Sequence, residues 1–247
     1  MRKIILIISS TLLILAITDN LLKRFNNVYL NFREANKGYG SVPTSDIITN
    51  PELKYYFYIP AVKPPKNGFP VMIVPGWGAL PPWSDFAAQN NFVIISPYFV
   101  LSEKDFDEEK SFHYPAAWSG NALIAILDDL KGKTKLDRNG LYLYGFSAGA
   151  QFAHRFALLH PEMCRAVAAI APGGITFPET YVPVSFYLSV GKEDKVRIEG
   201  IREFYVECTK LGINAIYEVI EGQGHMVSES QTSKAFKLFL EKQKYRN

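Results

Sequence analysis

Leu141-Tyr142-Leu143-Tyr144-Gly145-Phe146-Ser147-Ala148-Gly149 joins a short apolar run to the pattern Gly-x-Ser-x-Gly. A continuous run of this length, bounded by glycine, reads as a strand buried on both faces. Residues 148–160 then carry Phe152, Ala153, Phe156 and Ala157 at helical spacing and stop before Pro161. Strand, sharp turn and helix are the context in which this pentapeptide has chemical meaning. The turn must lift Ser147 Oγ above the end of the sheet. Small residues two positions before and after are needed because the strand and helix backbones crowd there. The new helix also aims its first N–H groups at the place where negative charge would develop. A capping serine at a glycine-rich helix start would explain a serine or a glycine, but not both glycines at this spacing. Ser147 is therefore the candidate nucleophile.

Outward from this segment the pattern repeats. Residues 55–59, 71–74, 92–95, 166–170, 185–190 and 215–220 are further short apolar runs bounded by turn residues. Residues 114–131, 198–211 and 228–245 carry apolar side chains at helical spacing. Near the start, residues 28–33 read as a first strand and residues 38–43 as a Gly/Ser/Pro-rich loop. Alternating strands and helices predict an α/β fold with a mainly parallel central sheet and helices on both faces. No internal repeat and no linker divides the chain, so residues 19–247 read as one domain.

A serine hydroxyl needs a base to accept its proton. His113, His154 and His160 lie in a loop before a helix, along a helix and at a helix end, where packing or surface roles suffice. His225 follows the last predicted strand, in a loop at the carboxyl edge of a parallel sheet, where ligands bind in such folds. The base needs an acid to orient it and stabilise its charged form. Asp194, after the strand that ends near Val190, is the preferred acid and Glu193 its rival. His225 is the one histidine after Asp194, so the order Ser147, Asp194, His225 selects it. An oxyanion would need N–H donors. Ala148 N–H, directly after the nucleophile, is one. Trp77 N–H, between Gly76 and Gly78 in the loop after an early strand, is the second.

Composition narrows the function classes. The chain has 247 residues, 48% hydrophobic and 21% charged, which excludes a disordered or collagen-like chain. A net charge of +3 offers no basic field of the kind nucleic-acid binding uses. Two cysteines, Cys164 and Cys208, allow one disulfide at most and cannot make a four-cysteine zinc site. Two unpaired, partly buried thiols are expected. Arg2 and Lys3 precede residues 4–17, which are almost wholly apolar. As a helix this run would rise roughly 21 Å, short of a ~30 Å hydrocarbon core. Residues 1–18 read first as a secretory signal peptide, which implies export. The alternatives are an uncleaved N-terminal membrane anchor and a buried core helix.

From about residue 55 to residue 245 the chain resembles the α/β-hydrolase superfamily, and within it the polyhydroxybutyrate depolymerase and feruloyl esterase branch. Tyr58-Ile59-Pro60, Pro75-Gly76-Trp77-Gly78, Trp83 and Ala87 carry the resemblance, with residues 92–97, Gly145-Phe146-Ser147-Ala148-Gly149, His160-Pro161, residues 166–172, residues 191–194 and Gly224-His225. It implies Ser147 as nucleophile, Asp194 as acid, His225 as base, and Trp77 and Ala148 as oxyanion donors. The family usually has His-Gly where this chain has Pro75-Gly76. Residues 171–184 are too few for a helical lid, so an open site is expected. The expected activity is hydrolysis of a small or polymeric carboxylic ester through an acyl-enzyme, with no metal or organic cofactor. Trp77, Trp83, Phe146 and Tyr181 are candidates for the rim. A serine peptidase or amidase on the same fold, and a catalytically silent binding protein, are the alternatives.

Overall fold

The apolar run around Tyr142 lies in the middle of an eight-stranded sheet. The computed structural model describes residues 35–48, 50–76, 83–99 and 110–244. In these residues the strands are β1 (Asn36–Pro43), β2 (Glu52–Ile59), β3 (Phe69–Ile73), β4 (Val93–Pro97), β5 (Leu136–Phe146), β6 (Cys164–Ile170), β7 (Ser185–Gly191) and β8 (Ala215–Ile220). The helices are α1 (Trp83–Asn90), α2 (Ser119–Leu130), α3 (Ala148–Leu159), α4 (Lys195–Lys210) and α5 (Glu229–Lys244). Spatial order is β1-β2-β4-β3-β5-β6-β7-β8. β2 runs antiparallel to both its neighbours, and the pairs from β4 through β8 are parallel. The loops after β3, β5, β7 and β8 therefore open on one edge of the sheet, and that edge carries the site.

Alternation along β5 divides the core. Tyr142 meets Phe92 and Phe239, and Tyr144 meets Trp83 and Phe236, so α1 and α5 cover one face. On the other face Phe152 of α3 meets Phe99, Phe99 meets Trp118 beside α2, and His154 meets Phe204 of α4. Phe152 and Phe156 are fully buried; truncating such a ring to alanine costs about 3–5 kcal/mol.

Four segments differ from expectation. Residues 38–43 belong to strand β1 rather than a loop. Gly40 stands opposite Tyr55 and Gly38 opposite Phe57, and a Cβ on Gly40 would lie 2.4 Å from the Tyr55 ring. These glycines leave room for rings crossing from β2, and a residue without a side chain shows no strand period. Helix α2 begins at Ser119, not at residue 114. Tyr114 and Pro115 lie in turns closed by Ala117 N–H to Tyr114 O and Gly120 N–H to Pro115 O, and Trp118, at φ −161° and ψ −36°, is not helical. Strand β5 extends back through polar Asp137, Arg138 and Asn139. Helix α1 was not anticipated, since eight residues hold barely two turns of period; Phe86 fixes it by stacking on Phe236 of α5 at 4.1 Å.

Cys164 opens β6, Cys208 lies in α4, and both are free and buried. Burial pushes the Cys164 thiol up, and the Cys208 thiol up to about 12. The expected strand at residues 28–33 and the N-terminal segment 1–18 lie outside the described residues, as does most of residues 103–110, an acidic stretch that reads as a solvated surface loop rather than a metal site.

Candidate active site

β5 delivers Ser147 into a backbone conformation that L-residues rarely adopt, with φ 53° and ψ −116°. Such a conformation costs on the order of 1–3 kcal/mol and persists only where the surroundings over-determine it. Here Ser147 N–H continues the sheet by donating to Ile170 O at 2.9 Å, and Ser147 O accepts from Ala150 N–H and Gln151 N–H. The flanking glycines have a measurable reason. A Cβ on Gly145 would lie 2.3 Å from Gly149 O, and one on Gly149 would lie 3.1 Å from Pro75 O. The strand, the helix and the loop after β3 meet at this corner with no space for side chains.

β7 ends at Gly191, and a turn closed by Asp194 N–H to Gly191 O brings Asp194 to the start of α4. Its side chain is 3% exposed. The carboxylate does not cap the helix. One oxygen, Oδ2, accepts from His225 Nδ1 at 2.7 Å, and the other, Oδ1, accepts from Arg197 Nη1 at 2.6 Å. Glu193, the rival acid, is exposed, and only its backbone N–H reaches the histidine loop, donating to Gln223 O at 2.9 Å.

His225 stands in the loop after β8. Because a carboxylate can only accept, Nδ1 carries the proton and Nε2 is left to accept from Ser147 Oγ, 3.0 Å away. The imidazole also lies against the Phe146 ring, with centroids 4.7 Å apart. A buried amide network holds the loop. Gln223 Nε2 donates to Met226 O and to Gln231 Oε1, and Gln231 Nε2 donates to Ser189 Oγ on β7. Gln231 Oε1 also accepts from Ser228 N–H and Ser228 Oγ. Gln231 is fully buried, so this network is shielded from water.

The structure thus brings Ser147, His225 and Asp194 together and leaves the other histidines apart from Ser147. His154 is buried in α3, donating from Nδ1 to Ala150 O and accepting at Nε2 from Thr176 N–H. Burial holds its pKa down at about 3. Burial, helped by the nearby Arg155 charge, brings His113 down to about 4. His160 lies 3.8 Å from Glu162 at the far end of α3.

Ala148 N–H opens α3, where the first-turn N–H groups have no intrahelical acceptor. Trp77 lies outside the described residues. The chain leading to it is defined: Gly76, at φ 126°, donates to Pro97 O at 2.9 Å beside the elbow. Of the rim candidates, Phe146 lies at the histidine, Tyr181 is 60% exposed, and Trp83 packs edge-on against Tyr144. Among the described residues no group of three or more His, Cys, Asp or Glu side chains could hold a metal ion. Arg197 and the glutamines were not anticipated. The spacing of Arg197 three residues after Asp194 was a usable signal, whereas nothing in sequence pairs Gln231 with Ser189.

No family model matches the chain, and no curated protein matches it in sequence. Solved structures resemble it in fold. A thermostable esterase is similar at 15% identity and TM-score 0.63, over 86% of this chain and 64% of its own. A protein named as a dipeptidyl aminopeptidase IV, from Bacteroides ovatus, is similar at 12% identity and TM-score 0.64, over 85% of this chain and 36% of its own. A CE1 ferulic acid esterase from Anaeromyces mucronatus is similar at 16% identity and TM-score 0.62, over 83% of this chain and 90% of its own. The chain therefore spans less than two thirds of the first two proteins and nearly all of the third. It has the α/β-hydrolase fold. Among the described residues the connection from β6 to β7 holds no helix, so no lid domain is inserted there.

Proposed function

We propose that the chain is a serine hydrolase that cleaves carboxylic esters through an acyl-enzyme. Support comes above all from the hydrogen-bonded series Ser147 Oγ, His225 Nε2, His225 Nδ1 and Asp194 Oδ2, with links of 3.0 and 2.7 Å. Ser147 Oγ attacks the ester carbonyl carbon as its proton passes to His225 Nε2. The carbonyl electron pair moves to oxygen, where Ala148 N–H and Trp77 N–H receive it. Collapse breaks the C–O bond, and the leaving alkoxide takes the proton from His225 Nε2. Water then attacks the acyl-serine, with His225 again taking and returning a proton, and the acid departs. Asp194 stays ionised and holds the imidazole in the Nδ1–H tautomer.

The acyl group is proposed to be aromatic or bulky, as in the feruloyl esterase and polyhydroxybutyrate depolymerase branch. An open edge, the Phe146 ring against His225 and the exposed Tyr181 favour it. The likeness to a protein named a ferulic acid esterase agrees with it. Residues 1–18 are proposed as an export signal, alternatively a membrane anchor, ahead of the hydrolase domain at 19–247. Among the described residues no helix is long and apolar enough to cross a membrane. Sequencing the N-terminus of the protein recovered from soluble and membrane fractions separates these two roles.

A fluorophosphonate probe should label the folded protein at Ser147, and a folded protein that resists it would leave the silent-protein alternative. Aryl esters should turn over faster than peptides in a panel of aryl esters, alkyl esters, polyesters and peptides. Faster cleavage of peptides would point to the peptidase instead.

A further inference from the structure

Asp194 has two side-chain partners, and only His225 belongs to the hydrogen-bonded series that reaches Ser147. Arg197 lies in the first turn of α4, three residues after Asp194, with Nη1 2.6 Å from Oδ1. The carboxylate is nearly dry and makes no helix cap, so its rotation about the side-chain bonds is set by its two partners. The guanidinium is itself largely withdrawn from water. Its side chain is 23% exposed, and its buried Nε has no hydrogen-bond partner among the described residues. An arginine placed at that cost beside the acid does more than decorate a surface.

We propose that Arg197 is a positioning residue for the hydrolysis, anchoring Asp194 Oδ1 so that Oδ2 faces His225. This rests on the serine-hydrolase assignment above.

Other charged groups near His225 do not take this part. On the loop after β7, Lys192 pairs with Glu221 of the loop after β8 at 2.7 Å on the exposed side. Glu193 and Lys195 beside the acid, and Glu229 at the start of α5, are exposed. The elbow contributes Ser147 and Phe146, which are uncharged. Among the described residues, no other ion pair reaches Asp194 or His225.

Arg197→Met, Arg197→Gln and Arg197→Lys test this in the full chain. The readouts are kcat and KM for an ester and the Nδ1–H proton signal of His225 by NMR, assigned with His225→Gln. Arg197→Met should lower kcat about 10-fold with little change in KM. It should also displace or broaden the Nδ1–H signal, because Asp194 Oδ2 is no longer held toward the ring. Arg197→Gln, which keeps a donor without charge, should lose less rate than Arg197→Met. Arg197→Lys, which keeps a donor and charge without the planar fork, should restore most of the rate and the signal. Arg202→Met, a charge removed from an exposed pair further along α4, should change neither. An unchanged kcat and an unchanged Nδ1–H signal in Arg197→Met, in protein whose circular dichroism is unaltered, overturn the proposal. The NMR signal needs no turnover, so a failed hydrolase assignment shows separately, as ester cleavage that survives in Ser147→Ala.

Discussion

A Cβ on Gly191 would lie 2.1 Å from the carbonyl oxygen of Gln223. The same methyl would stand 2.4 Å from Gly224 O. The loop that carries Asp194 and the loop that carries His225 are thus in backbone contact, and Glu193 N–H donating to Gln223 O fastens them. Asp194 and His225 meet because a residue without a side chain ends β7.

Gly191→Ala should therefore separate the two loops. Overpacking against backbone costs about 1–3 kcal/mol. A shift of about 1 Å at the base can lower the rate ~100-fold. Ester kinetics and thermal melts on the purified variant check this. An alanine variant with unaltered kcat would show that the loops give way without moving His225.

Ser147→Ala should lower turnover of a short-chain p-nitrophenyl ester by at least about 10³-fold. Of the two adjacent acids, Asp194→Asn should be far more damaging than Glu193→Gln, since Asp194 is the one bonded to His225. Parallel kcat/KM measurements decide it, and a larger loss in Glu193→Gln would transfer the role.

Gln231→Leu should loosen the histidine loop from beneath. It removes the acceptor of one of the two Gln223 Nε2 hydrogens, the other still donating to Met226 O, and takes a donor from Ser189 Oγ; both sites are buried, and a group left unmet costs about 1–3 kcal/mol. Stability should fall by a few kcal/mol in urea melts. Turnover should fall with it even though residue 231 touches neither Ser147 nor His225. Normal kcat in a destabilised variant would limit the network to a folding role.

Acid should destabilise the fold through the buried histidines. In the unfolded chain His113 and His154 titrate near 6.5, whereas burial holds them at about 4 and about 3 in the native state. The stability this represents is fully present above pH 6.5. It is lost as pH falls from there toward 4 and below, because the unfolded chain then takes up protons that the native state refuses. For His154 geometry adds to burial, since a proton on Nε2 would face Thr176 N–H. Melts between pH 7.5 and 4.5 should show Tm dropping by several degrees, each kcal/mol being worth about 2–4 °C in a domain of this size. A flat Tm across that range would contradict it.

The parallel strands and most of the helices were legible in sequence because each rests on local periodicity. A buried strand is a run of bulky residues, and a helix stripe repeats every three to four. Segments whose signal is not periodic were lost: β1, whose glycines yield to rings from β2, α1, which is too short, and the polar start of β5.

At the site, sequence alone singled out Ser147 and His225, the proposed nucleophile and base. The Gly-x-Ser-x-Gly turn is a local steric requirement, and chain order leaves His225 as the one histidine after Asp194. Sequence preferred Asp194 over its neighbour Glu193, but the two have nearly equal chemistry. Only the tertiary structure shows how far they differ, because the turn after Gly191 points the Asp194 carboxylate into the fold against His225 and leaves Glu193 exposed. The same is true of Arg197 and of the Gln223–Gln231–Ser189 network. They act through hydrogen bonds between side chains far apart in the chain or across a helix start. Such bonds depend on direction and on exclusion of water, which a sequence does not encode until the sheet has brought its loops to one edge.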